Sequence, residues 1–171
     1  MRETNEENSD AAASARGVMR RVASLGGVGD FGTAPGTAAS VVCWVPWFVV
    51  GLAGWEFLLI VVVAVSVLGF WVCRSLERAG YFKTDMDPSW VVIDEAAGLG
   101  VAFIPFAAGG GVAAAVLALI FFRLFDIYKP FPVARAERLG GSRGIMLDDL
   151  VAGLMAAAAV WFVLLLASAL L

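Results

Sequence analysis

Five carboxylates lie where long apolar segments of this sequence begin or end. They are Asp94, Glu95, Asp126, Asp148 and Asp149. An ionisable group is costly to hold near hydrocarbon, so such a group at a membrane boundary indicates a functional site. Carboxylate oxygens are ligands for Mg²⁺, and a divalent cation can bridge carboxylates to a phosphate. These five residues are therefore the candidate catalytic and metal-binding side chains.

A structural role for the same acids is the alternative. Asp94 and Glu95 fall in the first turn of a predicted helix, where carboxylates complement the helix dipole. Asp148 and Asp149 also precede an apolar helix and could act as simple caps. Because successive helical residues point about 100° apart, Asp148 and Asp149 are not expected to approach one ion in the same way. One of them would ligate the metal while the other orients it or serves a second ion.

Basic residues accompany two of the three acidic groups. Arg123 and Lys129 flank Asp126, and Arg143 precedes the last acidic pair. Arg123 and Asp126 are three residues apart, which places them on one face of a helix, and a structural ion pair is one explanation. The functional explanation is that Arg123, Lys129 and Arg143 hold phosphate oxygens of a substrate.

A glycine-rich loop over residues 26–37 precedes the first long apolar segment. It has no lysine in a Walker-type pattern, so it does not support nucleotide binding. Its backbone amides and the hydroxyls of Thr33 and Thr37 could contact a phosphate at a helix N-terminus. The alternative is an ordinary lead-in to the helix.

The composition indicates an integral membrane protein. Of the 171 residues, 61% are hydrophobic and 16% are charged, whereas a soluble domain is about 45–50% apolar and about 25% charged. No basic stripe with interleaved aromatic residues supports nucleic-acid binding. The sequence contains no histidine, which excludes a histidine nucleophile or base. Cys43 and Cys73 form no C-x-x-C pair and are predicted to be small buried hydrophobes.

Apolar segments cover roughly residues 38–55, 57–73, 96–108, 112–125 and 147–171. Spanning a membrane takes about 20 helical residues, so the first, second and last segments are long enough. The third and fourth are shorter and flank Gly109–Gly111, which is typical of the turn in a helical hairpin. The sequence thus predicts an all-α membrane bundle of about five apolar helical elements, in which residues 96–108 span, re-enter or lie flat.

The basic residues predict the orientation of this bundle. All twelve lie near the N-terminus, in the 74–94 connection or in the 123–144 stretch, and the other two connections have none. The positive-inside rule then places those three regions in the cytoplasm. All five candidate acids would lie in one layer at the cytoplasmic ends of their helices.

Residues 1–15 are polar, acidic and alanine-rich, so they are predicted to form a disordered tail. They contain no apolar core of a cleavable signal peptide. Residues 16–171 are predicted to form the membrane-embedded domain.

Four sequence blocks, taken in order, resemble the phosphatidylglycerophosphatase A family over roughly residues 18–165. The blocks are Gly32-Thr33-x-Pro35-Gly36-Thr37, Asp87-Pro88…Asp94-Glu95-x-x-Gly98, Phe122-Arg123-x-Phe125-Asp126-x-x-Lys129-Pro130-x-Pro132 and Gly144-Ile145-Met146-x-Asp148-Asp149-x-x-Ala152-Gly153. Each block alone is modest evidence, but their combination is specific. No acid or basic residue of these blocks is missing.

The resemblance implies a Mg²⁺-dependent, membrane-bound phosphatase of phospholipid biosynthesis in the bacterial inner membrane. Its substrate would be phosphatidylglycerophosphate and its products phosphatidylglycerol and phosphate. Activated water is preferred over an aspartate nucleophile, because no single acid is set apart from the others.

Other classes of protein and other substrates are alternatives to this hypothesis. No D-x-D-x-[TV] motif supports a haloacid-dehalogenase-type phosphatase, and the signature of the CDP-alcohol phosphotransferases is missing. A phosphatase of another lipid phosphate, such as phosphatidic acid, stays open, as does a homo-oligomer. A small transporter is the rival class, but it predicts acids spread through the membrane depth rather than in one layer.

Overall fold

The computed structural model describes residues 2–82 and 88–170, with side chains from residue 13 onward. Within these residues every regular element is helical, which confirms the all-α prediction. The helices are α1 (Arg2–Ala23), α2 (Pro35–Gly51), α3 (Trp55–Arg78), α4 (Ile93–Ala102), α5 (Gly111–Tyr128), α6 (Val133–Glu137) and α7 (Gly141–Leu170). A 3₁₀ turn, Leu25–Asp30, follows α1, and a π-helical turn, Phe106–Gly110, lies between α4 and α5.

Three stretches of the described chain are long and apolar enough to cross a membrane. They are α3, the residues Ile93–Tyr128 that run through α4 and α5, and α7. The first apolar segment is predicted from sequence to span as well, but α2 is a shorter apolar helix of 17 residues. Large apolar side chains on the outer faces of these helices are exposed, as a lipid-facing surface requires. The chain is therefore a helical protein suited to a membrane, and five membrane elements stay a prediction.

The predicted turn at Gly109–Gly111 is present. Gly109 has φ of 101° and Gly111 has φ of 71°, a region that glycine adopts without steric cost. Beyond this turn α5 packs against both α4 and α7. The turn therefore brings the end of α5 back to the end of the bundle where α4 and α7 begin.

Helix α4 lies at the centre of the bundle, and all its residues except Glu95 are buried. It packs most extensively against α7. A Cβ on Gly98 would collide with the carbonyl oxygen of Asp149, and a Cβ on Gly153 would collide with that of Gly98. The two glycines therefore allow direct backbone contact between α4 and α7, which places the first turn of α4 beside Asp149.

The end of α1 holds the segment that leads into α4. The backbone N–H of Val92 donates to the carbonyl of Ala23 at 2.9 Å. Arg20 pairs with Asp30 at 2.7 Å, and its guanidinium carbon lies 5.1 Å from the centroid of the Trp90 ring. These contacts fix the chain immediately before Asp94 and Glu95.

The predicted tail overlaps α1, whose first residues, 2–12, are described by their backbone alone. The division between a tail at residues 1–15 and a membrane domain from residue 16 stays a prediction. Asp87, which belongs to the second sequence block, lies outside the described residues.

Candidate active site

Three of the five predicted acids meet at one point. One carboxylate oxygen of each of Asp94, Glu95 and Asp149 lies within 4.8 Å of the others. Asp94 is 7% exposed and Asp149 is 3% exposed. Burying several carboxylates together is costly unless a cation or protons compensate them. The group therefore has the donor set of a site for a hard divalent cation.

The backbone of the two acidic helices fixes these side chains. The Asp94 Oδ1 atom accepts the N–H of Glu95 at 3.1 Å, and the Asp148 Oδ1 atom accepts the N–H of Asp149 at 3.0 Å. The first acid of each pair therefore binds the amide of the second.

Arg123 reaches the site from α5. Its Nη1 atom donates to Asp126 Oδ2 at 2.6 Å and to Ser40 Oγ at 3.4 Å, and its Nη2 atom donates to Thr37 Oγ1 at 3.2 Å. The predicted pairing of Arg123 with Asp126 is thus present. A Cβ on Gly36 would collide with Glu95 Oε1 and would lie 3.3 Å from Arg123 Nη1. The guanidinium is therefore next to the acidic group.

Asp126 is near the three-carboxylate group without belonging to it. Its carboxylate lies close enough to Glu95 and Asp149 to interact with both electrostatically. It connects the acids of α4 and α7 to the guanidinium of Arg123.

Lys129 and Asp148 form a second ion pair of the site. The Lys129 Nζ atom donates to Asp148 Oδ2 at 2.8 Å and to Glu137 Oε1 at 2.6 Å. Burial by itself lowers the pKa of Lys129, but its hydrogen bonds to the two carboxylates outweigh burial and raise this pKa above its usual value. Lys129 therefore carries a positive charge beside the acidic group. The adjacent acids Asp148 and Asp149 have different partners, one the ammonium of Lys129 and the other the carboxylate group.

Two predicted substrate contacts lie elsewhere. Thr33 is exposed in the loop before α2, whereas Thr37, also exposed, contacts Arg123. Arg143 is exposed in the first turn of α7 and lines a different cavity, together with Arg74. Of the five predicted substrate-binding residues, Arg123 and Lys129 therefore hydrogen-bond to acids directly, and Thr37 is joined to them through Arg123.

Sequence reasoning missed two residues of the site. Ser40 is fully buried, donates to the carbonyl of Gly36 at 2.9 Å and accepts from Arg123. Its signal is a hydroxyl three residues after Thr37, on the same face of an otherwise apolar helix. Glu137 is the second partner of Lys129, and no sequence pattern marks it because it lies on the short helix α6.

Two polar atoms of the site are buried without a hydrogen-bond partner among the described residues. They are Glu95 Oε2 and Arg123 Nε. Buried polar groups are nearly always paired, so unpaired ones call for a ligand or an ion. An unpaired carboxylate oxygen is suited to a cation, and an unpaired guanidinium N–H is suited to an acceptor such as a phosphate oxygen. The arrangement is thus suited to a metal ion and a phosphate at the same place.

Comparison with known proteins agrees with this chemistry. The family model described as phosphatidylglycerophosphatase A matches residues 21–164. A relative from Escherichia coli K12, named phosphatidylglycerophosphatase A, is 29% identical over 135 residues, which cover 75% of this chain and 73% of the relative. A putative phosphatidylinositol-3-phosphatase from Bacteroides thetaiotaomicron is 34% identical over 129 residues, which cover 70% of this chain and 77% of the relative. No solved structure matches the chain.

Proposed function

The chain belongs to the phosphatidylglycerophosphatase A family and is a phosphatase, and from this premise we propose that it hydrolyses the terminal phosphate of phosphatidylglycerophosphate. The products are phosphatidylglycerol and inorganic phosphate. The observation that carries the proposal is the meeting of Asp94, Glu95 and Asp149 beside Arg123. It combines oxygen ligands for a divalent cation with a guanidinium that binds phosphate.

Mg²⁺ is the proposed cofactor, held by Asp94, Glu95 and Asp149. The fit rests on three carboxylates with oxygens within 4.8 Å of one another and on the unpaired, buried Oε2 atom of Glu95. When bound, Mg²⁺ supplies Lewis-acid chemistry, neutralising phosphate charge and making water a better nucleophile. Asp126, which adjoins Glu95 and Asp149, is the candidate for a fourth carboxylate ligand.

Arg123 and Lys129 would bind the oxygens of the terminal phosphate and stabilise the negative charge of the transition state. Asp148 holds the ammonium of Lys129, so we assign it a positioning role, whereas Asp126 holds the guanidinium of Arg123 through Oδ2 and is also the candidate fourth ligand. Thr37 and Ser40 support Arg123 from α2.

In the reaction, the oxygen of a water molecule attacks phosphorus and the ester P–O bond breaks. The departing glycerol oxygen takes up a proton, and the attacking water loses one. A carboxylate of the acidic group is the proposed acceptor of the water proton. Activated water is preferred to an aspartyl-phosphate, because Asp94, Glu95 and Asp149 are grouped together and none is set apart as a nucleophile.

The substrate is proposed to enter from the cytoplasmic leaflet of the bacterial inner membrane. The positive-inside rule assigns the basic connections to the cytoplasm, and Arg123, Lys129 and the acids lie at that end of their helices. The apolar outer faces of α3 and α7 would contact the acyl chains of the membrane.

A second candidate substrate is a phosphoinositide with a monoester phosphate on its ring. The Bacteroides relative named as a putative phosphatidylinositol-3-phosphatase favours it. Both candidates present a phosphate monoester attached to a diacyl lipid, so the acidic group and Arg123 would act on either in the same way.

The test is phosphate release by the purified protein in detergent, with phosphatidylglycerophosphate, phosphatidylinositol 3-phosphate and phosphatidic acid as substrates. Each substrate is assayed with Mg²⁺, with EDTA, and with Mg²⁺ restored after EDTA. We expect the fastest release from phosphatidylglycerophosphate, its loss in EDTA and its recovery with Mg²⁺. Asp149→Asn is the matched inactive control, because it removes one carboxylate and keeps the side-chain shape.

Faster hydrolysis of phosphatidylinositol 3-phosphate would show that the second candidate is the preferred substrate. Full activity in EDTA would refute the proposed requirement for Mg²⁺. An equal rate with the Asp149→Asn variant would refute the site.

A further inference from the structure

A polar cavity lies at the same end of the bundle as the acidic group, between the end of α3 and the start of α7. It has a volume of about 300 Å³ and is lined by Arg74, Glu77, Leu139, Gly140, Ser142 and Arg143. None of these residues belongs to the group formed by Asp94, Glu95 and Asp149. The cavity is called the α3–α7 cavity below.

The α3–α7 cavity is suited to an anion. Arg74 and Arg143 are exposed, and within the described parts of the chain neither forms an ion pair. The carboxylate of Glu77 is occupied by the start of α7, because its Oε2 atom accepts from Ser142 Oγ at 2.8 Å and from the Ser142 N–H at 3.3 Å. Two arginines therefore line the cavity together with one carboxylate that already has a structural role.

Below Arg74 an apolar stripe runs along the outer face of α3. Trp71, Val67 and Val63 lie three, seven and eleven residues before Arg74, which places all of them on one face of the helix. Their side chains are 57%, 63% and 53% exposed. A continuous exposed apolar stripe on a membrane helix is a surface for lipid chains.

A shorter stripe lies farther along α7, on the same face as Arg143. Leu154 and Trp161 follow Arg143 by eleven and eighteen residues, again on one face, and both side chains are exposed. Helices α3 and α7 pack against each other. The α3–α7 cavity therefore lies at the polar end of the α3 stripe, and the α7 stripe lies on the helix packed against α3.

We propose that the α3–α7 cavity binds the phosphodiester of an anionic phospholipid whose acyl chains lie along these two stripes. Arginine presents a planar fork of donors that matches phosphate oxygens. Basic pockets between membrane helices on the cytoplasmic side bind lipid head groups in the same way. Arg143, predicted from sequence to bind substrate phosphate, acts here with Arg74, which no sequence block contains.

The diester can come from two sources. It belongs either to the substrate itself, next to the terminal phosphate, or to a separate anionic lipid of the bilayer. For the first source, one lipid molecule would reach from the acidic group to Arg143. Arg143 precedes Asp149 by six residues, or about 9 Å along the helix axis at 1.5 Å per residue. Only the first source rests on the proposed function.

Lipid retention tests the cavity without any activity. The probe is phosphatidylglycerol, compared with phosphatidylcholine of the same acyl chains, and bound lipid is measured by native mass spectrometry of the full-length protein. The double variant Arg74→Gln/Arg143→Gln is compared with wild type and with Arg78→Gln, an exposed arginine on α3 that does not line the cavity.

Wild type and Arg78→Gln should retain phosphatidylglycerol in preference to phosphatidylcholine. The double variant should bind phosphatidylglycerol at least roughly tenfold more weakly, because the loss of even one of its two charge-assisted contacts costs about that much. The conservative variant Arg74→Lys/Arg143→Lys should retain part of the preference and serves as a check on folding. Equal retention by wild type and a folded double variant would overturn the proposal.

Enzyme kinetics then show whether the phosphodiester belongs to the substrate or to a separate lipid. If the diester belongs to the substrate, the double variant raises KM for phosphatidylglycerophosphate about tenfold and leaves KM for phosphatidic acid unchanged, because phosphatidic acid has no diester. Equal changes with both substrates, or lost retention with unchanged KM, assign the cavity to a separate lipid. If wild type hydrolyses neither substrate, the proposed function fails while lipid retention still decides the cavity.

Discussion

Replacing Asp149 and Asp148 with Asn, one at a time, should separate metal binding from phosphate binding. The two acids are adjacent in sequence, but Asp149 belongs to the carboxylate group and Asp148 holds Lys129. Both are buried and Asn has nearly the same shape as Asp, so the comparison changes charge with little change in packing.

The expected magnitudes differ for the two variants. Asp148→Asn weakens a hydrogen bond of 2.8 Å between charged groups, and such bonds contribute about 1.5–3 kcal/mol. If Lys129 acts mainly on the transition state, kcat/KM falls by about 10- to 150-fold, since about 1.4 kcal/mol corresponds to tenfold. Losing a group that only orients a metal ligand costs about 10–100-fold in metal affinity. Asp149→Asn removes a proposed ligand itself, so its loss of Mg²⁺ affinity should exceed about 100-fold.

The assay is phosphate release as a function of Mg²⁺ concentration, with substrate varied at each concentration. Asp149→Asn should shift the Mg²⁺ concentration for half-maximal activity strongly upward. Asp148→Asn should leave that concentration within about twofold of wild type while kcat/KM falls. Lys129 retains its second partner, Glu137, so the Asp148 variant should remain folded.

An equal shift in Mg²⁺ dependence for the two variants would refute this division of roles. A large shift for Asp148→Asn with none for Asp149→Asn would mean that Asp148, rather than Asp149, binds the metal. Thermal unfolding of both variants serves as the control, since a loss of fold would lower activity at every Mg²⁺ concentration.

Three further predictions concern packing, the guanidinium and pH. Gly98→Ala should destabilise the protein by about 1–3 kcal/mol, because the added methyl overpacks the contact of α4 with α7; its Tm should fall well below that of Gly17→Ala, whose Cβ meets nothing within 4 Å. Arg123→Lys should lower kcat/KM at least about tenfold although the charge is kept, because a lysine cannot reproduce the forked contacts; activity near wild type would argue against phosphate binding by this residue. The pKa of Lys129 is raised by its two carboxylates against the effect of burial, so the stability from these pairs is fully present below the unfolded pKa of about 10.4 and is lost only as pH rises through the higher folded pKa. Lys129→Arg should therefore leave the pH–rate profile unchanged in shape up to about pH 10, and a shifted alkaline limb would show that Lys129 titrates during turnover.

The class of the protein and the candidate residues of its site were predictable from the sequence alone. Hydropathy and composition are sums over residues, so they predicted an all-helical protein suited to a membrane without any coordinates. The turn at Gly109–Gly111 was predictable because local backbone geometry depends on the residues themselves. The spacing of Arg123 and Asp126 predicted their ion pair, since three residues on a helix bring two side chains to one face.

Only the packing of the helices shows which of the predicted residues meet. The helical step predicted different roles for Asp148 and Asp149 but not which acid has which role, and packing supplies each with its own partner. Sequence spacing cannot reveal that, because the partners lie on other helices. The contact of α4 with α7 at Gly98 depends on the crossing of two backbones.

Ser40 and Glu137 were recognised as residues of the site only from the folded structure. The same is true of the common location of Arg74 and Arg143 in the α3–α7 cavity. These residues come from helices far apart in the chain, and no periodicity within one helix encodes their distances. Local sequence thus determines which side chains each helix presents, whereas the packing of helices on one another determines which of those side chains form a site.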